Sequence, residues 1–371
     1  MIRKSWTRQK TWLLIALVIL GGLALLFTSH NQQFYRQPIA QVVQAKTISH
    51  QKVKDEFKNV DHQDTQQLKL KVLNGHYQGK TLMVQNTYSD SQPMDQRYKK
   101  GNQVFLTKIH RQDGQLTATI QGYKRDTVLV FLMWLVVFML LLLMGNAGLL
   151  ALISVIINTI LFFIAIVIDL QLNGNYVILL FSILAVIFTF VSLLLVLGWS
   201  KKMLATFAAT VIGAFAALGV SLLVFAWTHE RGVYYEAMDY VTQVPRPLFL
   251  AETLLGSLGA VMDESSDIIA TLFELKQINP EVSARELFLS GRNVGKSIMG
   301  PLINVLFLVF MAETFTGSLL YLKNGNSWGY TFAMNMSLGT VQSLVSGIGI
   351  VLAVPLVSLF GALLLGKRVA K

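Results

Sequence analysis

The sequence predicts an α-helical polytopic membrane protein of about eight transmembrane helices, carrying a small extracytoplasmic β-barrel-like module. Three observations lead there. Hydrophobic residues fill 53% of the 371 positions and charged residues only 14%, a balance typical of integral membrane chains. The apolar residues gather in runs long enough to cross a hydrocarbon core of about 30 Å. One stretch, residues 28–126, breaks that pattern with short alternating segments separated by polar turns.

Residues 1–27 read as an amino-terminal signal anchor. Arg3, Lys4, Arg8 and Lys10 precede the apolar run Thr11 to Phe27, and the following LLFTSHN offers no Ala-x-Ala cleavage site. Gly21-Gly22 would let another helix approach closely.

The insert 28–126 reads as a β-rich module of about five strands. Residues 40–48, 67–73, 80–86, 103–109 and 115–123 alternate apolar and polar residues. Asn74-Gly75, Lys100-Gly101-Asn102 and Asp113-Gly114 supply turns between them. Residues 51–66 read as helical or irregular. The insert holds 15 Lys and Arg against eight Asp and Glu, so anionic envelope polymers or lipid headgroups are candidate partners.

Residues 127–371 read as a seven-helix membrane domain. Its apolar spans are 127–145, 147–168, 175–198, 203–227, 248–275, 298–321 and 338–365, the first two joined by a very tight turn at Gly145-Asn146. The basic residues give the orientation. Thirteen of 31 Lys and Arg fall on the amino-terminal side, against Arg231, Arg246 and Lys323 on the other side outside the insert. The positive-inside rule then puts both termini in the cytoplasm and residues 28–126 outside. Residues 228–247, with Tyr234, Tyr235 and Tyr240, read as an interfacial helix. The net charge of +11 follows from this asymmetry and from the insert. No dense basic run with interleaved aromatics points to nucleic acid.

The strongest chemical signal is ETLLGSLGAVMDESSDIIATLFE, residues 252–274. At about 100° per residue, Glu252, Gly256, Gly259, Asp263, Asp267 and Glu274 share nearly one face. Carboxylates within a span are costly and usually mark a proton relay, an ion ligand or a substrate path. The bland counterpart is a structural ion pair with Arg292 or Lys296. Those two residues lie in SGRNVGKS, residues 290–297, where the glycine spacing is too short for a phosphate-binding P-loop. A helix start there would still offer an anion site. Asn304 reads as interhelical glue. His229-Glu230 begins like a zinc motif, but Val233 stands where the second His belongs. The chain has no cysteine, and no metal, cofactor or catalytic residue is expected.

Gly259-Ala260-Val261-Met262-Asp263, Glu274, Asn279-Pro280, Ser290-Gly291, Gly295-Lys296-Ser297-Ile298-Met299-Gly300 and Asn304 occur in an order that resembles the YibE/F-like membrane proteins of bacteria. KVLNGHYQGK and YKKGNQVFL in the insert resemble that family's amino-terminal module. The chain departs from the family pattern at Lys296-Ser297, where Arg-Asp is usual, and at Pro301, where Thr is usual. The resemblance implies a permease in the bacterial cell membrane and a paralogous YibE/F-like partner; a homo-oligomer is the alternative assembly. It names no substrate.

The leading functional expectation is a secondary transporter or permease whose Asp263, Glu264 and Asp267 bind a cation or proton. Arg292 and Lys296 would serve as counter-charges or anion contacts, with Asn304 a polar helper. A different class is a non-transporting scaffold or sensor whose module binds an envelope partner. Reporter fusions at Asp113 and Lys371 should report from opposite sides of the membrane. Signal from one side at both positions would overturn the topology.

Overall fold

A computed structural model describes residues 8–92, 95–107, 109–112, 115–238 and 244–365. The turn at Asp113-Gly114, Tyr240 and the basic tail of Lys367, Arg368 and Lys371 lie outside them. The chain divides into two compact units, Met1–Leu149 and Leu150–Lys371.

The first unit begins with α1 (Arg8–His30), followed by a 3₁₀ turn over Asn31–Phe34. Strands β1 (Ile39–Lys54), β2 (Val60–Val72), β3 (Thr81–Ser89), β4 (Gln103–Leu106), β5 (His110–Gln112), β6 (Gln115–Thr117) and β7 (Ile120–Tyr123) come next. Five of them form one antiparallel sheet in the order β3-β2-β1-β4-β7, and β5 pairs with β6 in a separate hairpin. The sheet stays open, with β3 and β7 at its ends. The barrel expectation is thereby corrected: the end strands β3 and β7 do not pair with each other, so the ladder does not close. Alternation along the strands buries Val42, Leu68, Leu70, Val72, Leu82, Val84, Val104 and Leu106 in one core.

Residues 51–66, expected to be helical or irregular, instead extend β1 and β2, with β3 joining β2 from Gln63 onward and only the tip beyond it a two-stranded ribbon. His50 pairs with Asp64, Lys52 with His62 and Lys54 with Val60. Asp55 closes its tip by accepting from Asn59 N and Nδ2, both at 2.8 Å, while Lys58 turns the chain at φ +65°. His50 and His62 stack at 5.0 Å, and Asp64 accepts from His50 and from Tyr88 OH.

Asn74 is the hub of the module. Its Oδ1 accepts from Ile39 N at 2.6 Å, and its Nδ2 donates toward the carbonyls of Gln32, Tyr35 and Gln37. A second node lies where the module leaves the sheet for α2 (Asp126–Met144). Lys124, almost fully buried, binds Asp126 at 2.8 Å and reaches Thr28 O at the end of α1. Asn31 Nδ2 and Tyr35 OH donate to the same carboxylate at 3.0 and 2.9 Å. Further along, Trp134 of α2 donates to Leu17 O at 3.0 Å and lies directly over Gly21. A side chain at Gly21 would collide with the indole, so this glycine sets the α1–α2 approach.

Gly145, at φ +59°, ends α2, and α3 (Asn146–Gln171) starts at the next residue. The second unit continues with α4 (Val177–Leu197), α5 (Lys201–Thr228), α6 (Pro245–Ile278), α7 (Ala284–Lys323), the short α8 (Trp328–Thr331) and α9 (Ser337–Leu365). A π-helical segment, Phe332–Met336, joins the last two. Among the described residues, seven helices are long and apolar enough to cross a membrane: α1 to α5, α7, and α8 with α9 as one. The acidic α6 is not among them, although it packs against α4, α5, α7 and α9. Instead of an interfacial helix, the described part of residues 228–247 holds one 3₁₀ turn, Tyr235–Ala237. Arg246 pairs with Glu230 across this segment, and burial pushes the Tyr235 hydroxyl up to about 12.

The hydrogen bonds from His50 and then Tyr88 hold the Asp64 carboxyl below the ordinary aspartate range. A depressed carboxyl stabilises the folded state above its unfolded value and loses that contribution as pH falls through the folded one. Amide exchange in β2 and β3 of the full chain should therefore accelerate on acidification below the ordinary aspartate range. In Asp64→Asn the acid-induced increase should shrink, and an unchanged acid profile would contradict the assignment.

Candidate functional site

Pro245 and Pro247 open α6, where the missing N–H groups cost nothing. The helix then runs through the acidic stretch to Ile278 and stops before Pro280. Its neighbours fix which face is covered. Val261 packs against Gly213 of α5 and Gly349 of α9, and Leu272 against Gly361 of α9 and Gly291 of α7. Ile268 and Ile269 lie on the same covered side, fully buried.

That orientation splits the carboxylates. Glu252, Asp263, Asp267 and Glu274 lie on the exposed face of α6, with Gly256 and Gly259 between them. Glu264 turns inward, between Val261 and Ile268 along the packed seam. It is 1% exposed, and neither carboxylate oxygen has a hydrogen-bond partner among the described residues. Ser265 Oγ, beside it, is also buried without a partner. Asp267 lies within Coulombic reach of both Asp263 and Glu264. The locus thus combines two exposed carboxylates with one buried group.

The basic residues do not join it. Arg292 and Lys296 are exposed on α7, and Arg292 lies over the ring of Phe288. Neither forms an ion pair with Asp263, Glu264 or Asp267 among the described residues. Asn304 is exposed on the same helix. The expected helix start in residues 290–297 is also corrected. The start of α7 lies at Ser283, whose hydroxyl accepts from Glu286 N at 3.2 Å while Glu286 accepts from Ser283 N at 2.9 Å. This capping box moves the free N–H groups upstream, so Arg292 and Lys296 stand in the helix interior, where backbone donors are already used. The glycines of that motif serve packing: a Cβ at Gly291 would lie 2.5 Å from Ser358 Oγ, and one at Gly295 2.5 Å from Val354 Cγ1.

Sequence reasoning missed a neighbouring groove of about 220 Å³, in which Glu313, Gln342, Ser343 and Ser346 join the apolar Leu306, Val309 and Phe310. The Gln342 amide crosses above Gly256, leaving no room for a side chain there. Glu313 of α7 is the one carboxylate in its lining. The spacing of Ser343, Ser346, Gly347 and Gly349 in one apolar span was the available signal.

A family model described as YibE/F-like protein matches residues 132–367. The chain belongs to the YibE/F-like family. A second model, described as the YibE/F family N-terminal domain, matches residues 33–123. No curated protein and no solved structure matches the chain. For a YibE/F-like protein, the family supplies the two-part organisation, and the apolar helices suggest a membrane protein. The acidic locus and the glycine contacts both fall within the larger matched region.

If Gly291 and Gly295 serve close packing, Gly295→Val should lower the detergent melting temperature, since overpacking costs roughly 1–3 kcal/mol. Gly295→Ala should lower it less. Equal stability of all three proteins would remove the packing role.

Proposed function

We propose that this YibE/F-like chain is a secondary transporter or permease of the bacterial cell membrane, with proton or cation binding at Asp263, Glu264 and Asp267. Both termini face the cytoplasm and residues 28–126 lie outside in this reading, as the charge asymmetry supports. Buried Glu264 carries the proposal. An ionised carboxylate without hydrogen bonds or a counter-charge is costly in a low-dielectric interior, by several kcal/mol or more. A proton or a cation on Glu264 removes that cost. Exposed Asp263 and Asp267 sit beside it as relay positions between the open face and the buried group. Alternating occupancy of such a group is what an ion-coupled carrier requires.

The scaffold or sensor reading draws support from a different observation. The β1–β2 ribbon ends in exposed Val53, Phe57 and Val60, a surface suited to an envelope partner.

Glu264→Gln keeps the shape and removes the charge. In proteoliposomes under an imposed membrane potential, the wild-type chain should acidify or load cations, and Glu264→Gln should abolish that flux. Its melting temperature in detergent should hold or rise, because no partner is orphaned. A structural ion pair would give the opposite, a loss of about 3–5 kcal/mol. Undiminished flux in Glu264→Gln would end the transport reading.

A further inference from the structure

The transport reading leaves one cleft of the first unit unused. Ser29 at the end of α1, Gln32 and Gln33 of the 3₁₀ turn, Gln41 of β1, Gln78 before β3 and Gln103 of β4 line a space of about 430 Å³. That volume lies within the usual range of small-molecule sites. His30 and Leu73 complete the lining, and no Asp, Glu, Lys or Arg takes part.

The amides divide into fixed and free. Gln32 Nε2 donates to Ser29 O at 2.6 Å and to Gln103 Oε1 at 3.1 Å, and Gln33 Nε2 donates to Leu73 O at 3.2 Å. These bonds hold the walls in place. The side-chain amides of Gln41 and Gln78 have no hydrogen-bond partner among the described residues. Each offers a donor and an acceptor side by side.

This chemistry selects its ligand. A sugar hydroxyl also both donates and accepts, so neighbouring hydroxyls match neighbouring amides. A phosphate or carboxylate would surrender water with no Lys or Arg in the lining to meet it. An ammonium would find no carboxylate. The place adds a second constraint: the cleft begins where a helix long and apolar enough to cross a membrane ends, the span Trp12–Phe34. A ligand there sits at headgroup level.

We propose that this cleft binds an uncharged glycosyl group, carried by a membrane glycolipid or supplied as a free saccharide. The proposal does not rest on the transport reading. Full-length protein in phosphatidylcholine nanodiscs would be compared with and without diglucosyl or digalactosyl diacylglycerol, and separately with the corresponding free glycosylglycerols. Hydrogen exchange over residues 32–41 and 73–80 reports occupancy, and titration gives the affinity. The glycolipid should slow exchange in both segments. The double variant Gln41→Ala/Gln78→Ala should bind about tenfold more weakly at an unchanged melting temperature. Gln78→Glu, on an exposed turn where folding is not at risk, should weaken binding similarly. Protection by the free glycosylglycerol at equal strength identifies a soluble source, and protection only in the glycolipid discs identifies the lipid. Stronger protection by phosphatidylglycerol than by either glycolipid, no response to any sugar probe, or undiminished binding in both variants would each overturn the proposal.

Discussion

The second unit depends on how closely three helices approach α9. Lipid tails are as apolar as leucine, so helix association in a bilayer relies on contact rather than on escape from water. Glycines provide that contact on both sides of the interface. Gly349 and Gly361 of α9 receive Val261 and Leu272 of α6, while Gly213 of α5 and Gly291 and Gly295 of α7 receive Ala353, Ser358 and Val354 of α9. Small residues thus let α9 serve as a shared axis for α5, α6 and α7. The rotation of α6 about that axis decides which carboxylate points inward.

Most of the helical architecture was legible because apolar length is a strong, local signal. Residues 203–227 become α5 almost unchanged, the helix beginning two residues earlier at Lys201 with Ser200 as its cap. Where polar chemistry overrides length, legibility failed. The first turns of α7 are charged and amphipathic, so the apolar pattern starts more than three turns after the Ser283 cap. In the module, residues 51–62 carry little alternation because the tip of the ribbon buries neither face. A strand with no buried face has no need of a period of two. The short Tyr235–Ala237 turn was hidden by tyrosines that looked like an interfacial pattern.

The acidic locus was half legible. Periodicity gathers Glu252, Asp263, Asp267 and Glu274 on one face, and the exposed face of α6 carries them. It could not say that Glu264, about 100° away from Asp263, is the buried member, because burial depends on where α5 and α9 sit. The proximity in sequence of Arg292 and Lys296 to the acidic span suggested pairing. Their helix instead turns Gly291 and Gly295 toward the bundle and the two cations outward. The groove with Gln342 and Glu313 needs three helices, α6, α7 and α9, a juxtaposition that no single window contains.

The node at Lys124 and Asp126 has a consequence for the history of the chain. The strand leaving the module and the helix entering it are tied at one point, through Thr28, Asn31, Tyr35 and Asp126. The module is therefore a closed excursion between two helices already in register at Gly21 and Trp134. Such an excursion can be swapped as a cassette: any replacement whose ends meet at the same spacing leaves the paired helices undisturbed. Exchange of the module would then leave the acidic helix unchanged.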